Sequence, residues 1–415
     1  MKGVMFSIMI ISITAAILAV ILAYSFVISG HRERIVVEVR TNEMYYLYRS
    51  ILRDFDKSAE VIVPRAISSA LSYVITNGMG LDEADKRLEE LVVNGTLYRN
   101  EEHLMENATF PEWIRKIEEL ALLRGFILNL TLEEIKIKPW DSWNLLLEAN
   151  LSINLTEKNG IASLIRNVTK RKLISVIGFE DPIYPLKTLG RATNVITPSP
   201  YYQNFTQILA SGTSGNDYFY GESLVLPKSS LSQAATNKSR ILITDDISGS
   251  ESLVEQKFGA VVCECYIESL SIPFIGNVSN AMNLPNRTNL LVDGDTKKVW
   301  YIENLKEHLR NSFYIPSSKG ASFLDRLEGR LEVQEKYQSQ SDRIIGMESL
   351  VNKNYLLTLD LSVDSEKTNV DHLYFSDSPH PGFRIKGFDN DLRIDSEACG
   401  ELNHTSIYQV QELLI

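Results

Sequence analysis

The stretch Val4–Ser29, VMFSIMIISITAAILAVILAYSFVIS, carries no charged residue and follows only Met1-Lys2-Gly3. As a helix at 1.5 Å per residue it would run roughly 39 Å, more than the ~30 Å hydrocarbon core of a bilayer requires. No second run of this kind occurs, which predicts a single anchor meeting the lipid bilayer through residues 4–29. The run is about twice the length of a secretory signal core, and no small-x-small site follows it.

Two signals bear on which side of the membrane the remainder occupies, and they disagree. Arg32, Arg34 and Arg40 follow the run while only Lys2 precedes it, a bias that would hold residues after 30 in the cytoplasm. Against this stand eleven Asn-x-Ser/Thr triplets, at Asn94, Asn107, Asn129, Asn150, Asn154, Asn167, Asn204, Asn237, Asn277, Asn286 and Asn403. With about one residue in eight Ser or Thr, chance would supply roughly three or four such glycan acceptors. The excess outweighs a few arginines, so residues after 30 are expected to be extracellular.

The 415-residue chain is long enough for two or three domains beyond the anchor, and 44% hydrophobic with 23% charged residues suits globular protein. A net charge of −11 without a basic, aromatic-laced patch excludes nucleic acid as a partner. Cys263, Cys265 and Cys399 are too few for a disulfide framework or an all-cysteine zinc site. One bridge involving Cys399, or simple buried thiols, both fit that count.

Residues 31–95 read as a helical stalk. Met44, Tyr48, Ile51, Phe55, Ala59 and Ile62 recur every three or four residues, a kink is expected at Pro64, and a second helix is predicted over Leu81–Val93. Over 96–186 a helix beginning near Pro111 precedes strands with one wet face, such as Leu145–Leu155. There Asn150 and Asn154 fall on the polar side. This predicts an antiparallel α+β domain. In 187–333, short strands at Ile241–Thr244, Gly259–Cys263, Ile272–Ile275, Leu290–Val292 and Val299–Ile302 alternate with helices at Ser252–Lys257 and Glu303–Asn311. Alternation through Tyr355–Val363, Leu373–Phe375 and Phe383–Ile385 predicts an all-β module over 334–415. The fold class is therefore α+β multidomain, with an N-terminal transmembrane helix.

No catalytic motif stands out. Asp371, His372, Asp377 and His380 cluster in sequence, but their spacing matches no metal-ligand pattern and the flanking Pro379 and Pro381 suit an exposed loop. Asp245-Asp246 reads as the start of a helix, and Glu180-Asp181 before Pro182 as a turn. No catalytic, metal or cofactor residue is assigned on this basis.

Lys2-Gly3 followed directly by the apolar run resembles the class III signal of archaeal type IV pilin-like proteins. That resemblance implies cleavage between Gly3 and Val4 and partners among other pilin-like or envelope proteins. Ile8 occupies the fifth mature position, where many bacterial pilins carry a glutamate used in assembly. The segments around Glu89–Thr96, Trp113, Gly178–Tyr184 and Phe323–Gly329 look like those of uncharacterised membrane-anchored archaeal surface proteins. Residues 210–301 are similar to the swivelling β/β/α domain of phosphoenolpyruvate-utilising enzymes, through Arg240–Thr244, Gly259–Val262, Ile272–Gly276 and Val292–Gly294. The histidine that this family phosphorylates would fall between Cys263 and Ser271, where none exists.

The expected function is that of a non-enzymatic, N-glycosylated surface protein with a structural or adhesive role. A membrane-tethered extracellular hydrolase and a substrate-binding receptor are the alternatives. Carboxylates and histidines converging in one pocket would favour the hydrolase.

Overall fold

The computed structural model describes residues 2–211, 218–220, 223–225, 228–243, 249–263, 274–279, 290–293, 298–388, 392–395 and 403–415. The chain is mixed α+β with several small sheets. It divides into two compact units: residues 1–70, 85–138 and 146–174 form the first, and 71–84, 139–145 and 175–415 the second.

The helix Lys2–Asn77 continues through Pro64. Its described apolar side chains from Met9 to Tyr24 are exposed. Among the described residues no helix is long and apolar enough to cross a membrane, so the predicted span is not met there. The described side chains of the apolar run extend from Met9 to Ser25, roughly 26 Å of helix, short of the ~30 Å core.

From Met44 onward the same helix buries a stripe at Leu47, Ile51, Phe55, Ala59 and Ile62, as the three-and-four spacing requires. Phe55 stacks on Phe110 at 5.2 Å and meets Trp113 edge-on at 5.6 Å. Both partners belong to the helix Phe110–Leu123, which is capped by the Thr109 hydroxyl and has proline in its first turn. The indole Nε1 of Trp113 donates to Asp54 at 2.8 Å, so the large ring is buried with its polar atom satisfied. A three-stranded sheet, Phe126–Asp141, Asn144–Glu157 and Ser163–Ser175 in that order, completes this unit. Phe126, Leu128, Leu130, Leu151, Ile153 and Leu155 face the core, as their alternation predicts. The predicted second helix is found at Ala84–Asn94.

In the second unit an eight-stranded sheet is ordered Gln207–Ser211, Lys298–Tyr301, Leu290–Asp293, Phe274–Ser279, Phe258–Cys263, Asn237–Ile243, Ser223–Val225 and Tyr218–Tyr220. Asn237–Ile243 pairs in parallel with Phe258–Cys263 through the helix Glu251–Lys257, a small β-α-β unit. The strands and helices predicted from Ile241 to Asn311 are recovered with shifts of a few residues.

Residues 334–415 correct the all-β expectation. Lys353–Thr358 is helical, capped by the Asn352 side chain, and Asp371–Tyr374 is a helical turn. The apolar run around Tyr355–Val363 is too short for its period to separate strand from helix, and the Asn352 cap decides the matter. Only Gly346–Ser349 and the small pair Phe383–Arg384 with Arg393–Ile394 are strands among the described residues here. Ile385, Leu392 and Ile394, in and beside the small pair, join a core built around Phe205, Trp300, Ile302, Leu350, Val370 and Tyr408.

Gly346–Ser349 pairs antiparallel with Tyr314–Ser322. The two strands approach so closely that a Cβ on Gly346 would lie 1.8 Å from the Gly320 carbonyl oxygen. Glycine is therefore required at this position for steric reasons.

Candidate metal centre

Three short elements of the second unit bring three ionisable side chains together. Glu348 lies on the strand Gly346–Ser349, His372 on the turn Asp371–Tyr374, and His404 opens the helix His404–Ile407. All three are buried, and one ligand-type atom from each lies within 4.8 Å of the others. His404 Nε2 approaches Glu348 Oε2 at 3.4 Å, and the imidazole rings of His372 and His404 meet edge-on at 5.9 Å. Glu348 Oε2, His372 Nδ1 and His404 Nε2 are buried and have no hydrogen-bond partner. His372 Nδ1 lies 3.5 Å from Asp371 Oδ1. Leaving one such buried atom unsatisfied costs about 1–3 kcal/mol, so three in one cluster demand a reason.

The opposite edges of these groups are firmly held. His404 Nδ1 lies 2.7 Å from Asp395 Oδ2, and Asp395 Oδ1 accepts from the Thr368 hydroxyl at 2.8 Å. The Tyr408 hydroxyl donates to Glu348 Oε1 at 3.1 Å. Burial disfavours a charged His404, but Asp395 and Glu348 outweigh it and lift its pKa to about 10. Burial likewise opposes ionisation of Glu348, yet His404 and His372 hold its pKa below the usual carboxylate range. His404 thus stands between two carboxylates, Asp395 on one edge and Glu348 on the other.

A deeper polar layer supports the turn that carries His372. Arg326, fully buried, pairs with Asp181 and, at 3.0 Å, with Asp371. Its Nη2 also donates to the Met347 carbonyl at 2.6 Å and its Nε to that of Ala321 at 3.2 Å. Burial alone would raise Asp371, but Arg326 leads the groups that bring it down to about 2. Asp371 in turn accepts from the Ser349 hydroxyl and the His372 amide.

The cluster faces a cleft of about 480 Å³ whose lining includes His372, His404 and Asp395 together with Glu332, Glu335 and His380. Two imidazole nitrogens and a carboxylate oxygen are the donors of an open catalytic metal site, in contrast to the four-ligand closed sites that serve structure.

Several sequence readings change here. Asp371 and His372 are buried rather than exposed-loop residues, and Asp181 is a buried ion-pair member as well as a turn residue. Asp377 is exposed and stands apart from the cluster, whereas His380 lines its cleft. Glu348 and His404 were missed because 24 and 32 residues separate them from His372. Asn403-His404-Thr405-Ser406 is legible as a helix start, with the Asn403 side chain accepting from the Ser406 amide, but a cap does not mark His404 as a ligand.

Of the acceptor asparagines, Asn94, Asn107, Asn129, Asn154, Asn167 and Asn204 are exposed. Asn150 is half-buried and engages Glu134 and Thr169. Asn403 is half-buried as the helix cap, and its triplet hydroxyl Thr405 is 3% exposed. Asn237, Asn277 and Cys263 lie on strands, but their side chains, like all of Asn286, Asp245, Asp246, Cys265 and Cys399, fall outside the described residues. The backbone of Gly3 and Val4 is helical. No family model, curated protein or solved structure matches this chain.

Proposed function

We propose that this is a membrane-tethered glycoprotein of the cell exterior whose second unit holds a working site, either a hydrolase-type or a ligand-binding head. The observation that carries the reading is the convergence of Glu348, His372 and His404, two of which, His372 and His404, line one cleft. Such convergence favours the enzyme alternative over a purely structural envelope component.

The tether rests on the uncharged run Val4–Ser29 and on its exposed apolar side chains from Met9 to Tyr24. A helix that is apolar all round needs a non-aqueous environment, and the second unit's polar cleft needs water. The exterior placement rests on the acceptor triplets. Asn129 and Asn154 occupy the exposed face of a strand, where an Asn-x-Thr triplet presents both its amide and its hydroxyl because side chains two apart share a face.

Two measurements test this proposal. Protease added to intact cells should remove residues after 30; protection until lysis would refute the exterior placement. A panel of ester, amide and phosphoester substrates should show turnover, or equilibrium binding, by the full chain that His404→Ala abolishes. Equal behaviour of the two proteins would return the reading to a structural envelope component.

A further inference from the structure

We infer that Glu348, His372 and His404 bind one zinc ion and leave a coordination position open to the cleft. The inference rests on the reading of the cleft as a working site and supplies the ion at its centre.

Zinc holds imidazole nitrogen and carboxylate oxygen at about 2.0–2.2 Å, which places neighbouring tetrahedral ligands roughly 3.4 Å apart. The His404 Nε2 to Glu348 Oε2 separation is 3.4 Å, already that edge length. A ring nitrogen of His372 lies within 4.8 Å of both and needs a shift on the order of 1 Å to complete the face. Glu348 Oε2 and His404 Nε2 are also buried atoms with no hydrogen-bond partner. A cation at the centre of the cluster satisfies both and takes up a His372 nitrogen as well, which no single proton can do.

The surrounding groups have the form of an outer shell for a metal. A ligating histidine commonly directs its second nitrogen to a carboxylate, which fixes ring orientation and tautomer. Asp395 does this for His404 at 2.7 Å and is itself anchored by Thr368. Tyr408 holds the non-ligating oxygen of Glu348, and Asp371 accepts from the His372 amide. With three protein ligands and a cleft of about 480 Å³ against two of them, the fourth position is left for water or an oxygen-donor ligand.

The same donor set serves ferrous iron. An oxidising exterior removes Fe²⁺ and leaves Zn²⁺, so zinc follows from the placement proposed above.

The test uses full-length protein purified in detergent, stripped with a chelator and titrated with Zn²⁺, Co²⁺ and, anaerobically, Fe²⁺. One Zn²⁺ per chain is expected, together with a Co²⁺ spectrum of tetrahedral intensity that shifts when azide or a hydroxamate is added. His372→Asn and Glu348→Gln should lose stoichiometric binding, with circular dichroism reporting whether they fold. Asp395→Asn keeps all three ligands, so it should retain the stoichiometry but bind 10–100-fold more weakly.

No uptake by the wild-type chain overturns the inference, leaving a protonated His404 between Asp395 and Glu348. Unchanged binding by the ligand variants also overturns it. A Co²⁺ spectrum indifferent to added ligand would refute the open position, and tight Fe²⁺ with weak Zn²⁺ would refute the choice of metal. Turnover insensitive to chelator sinks this inference but spares the proposed function; zinc bound without any turnover or ligand binding does the reverse.

Discussion

Replacing Arg326 with methionine tests whether the polar layer beneath the site is held by charge. The guanidinium is fully buried between Asp181 and Asp371, both with no exposed surface, and also donates to two backbone carbonyls. Methionine fills much of the volume but leaves two carboxylates and two carbonyl oxygens without that donor. Breaking a buried pair from one side costs about 3–5 kcal/mol, because the remaining charge is uncompensated. At about 4 kcal/mol the loss is near a thousandfold in the unfolding equilibrium. Hydrogen–deuterium exchange across Tyr314–Leu327 reads it directly, as an increase of about that factor for amides that exchange by unfolding of this unit. Arg326→Met combined with Asp181→Asn and Asp371→Asn should recover part of the loss, since no bare carboxylate then remains. An increase below about tenfold for the single variant would refute the reasoning and mean that water reaches the layer.

Three further outcomes follow from the same geometry. Burial pulls the His308 pKa down to about 3, so its neutral form is favoured in the fold. This contribution is intact above the unfolded value near 6.5 and is lost as pH falls towards 3, costing about 2 kcal/mol at pH 5. Urea midpoints at pH 7 and 5, compared with His308→Phe, isolate this effect from His404, whose raised pKa acts in the opposite direction. Gly346→Ala should destabilise by more than ~3 kcal/mol and weaken metal uptake, because its methyl group would strike the Gly320 carbonyl two residues before Glu348; thermal unfolding with a zinc titration checks both. Glycopeptide mass spectrometry of native protein should find sugar at Asn129, Asn154 and Asn167 and none at Asn403, where Thr405 is buried.

Local patterns in the sequence determined much of the scaffold. The three-and-four spacing from Met44 to Ile62 made a helix with one buried stripe, and Phe126–Leu130 and Leu145–Leu155 alternated as half-buried strands. The order of strands and helices from Ile241 to Asn311 was likewise readable, because each is a short apolar run bounded by turn residues. Such features depend on neighbours within a few residues, and periodicity reports them. It failed at Lys353–Thr358, where a six-residue helix is too short for its period to differ from a strand's and a side-chain cap settled the outcome.

The site itself was decided only by tertiary structure. Glu348, His372 and His404 sit on a strand, a turn and a helix start with no shared spacing, and nothing in their local sequence sets them apart from surface residues. What makes them exceptional is burial together, with a ligand-type atom from each within 4.8 Å of the others and Asp395, Tyr408 and Asp371 braced behind them. Desolvation and convergence are properties of the folded chain, since each depends on which distant segments pack against which.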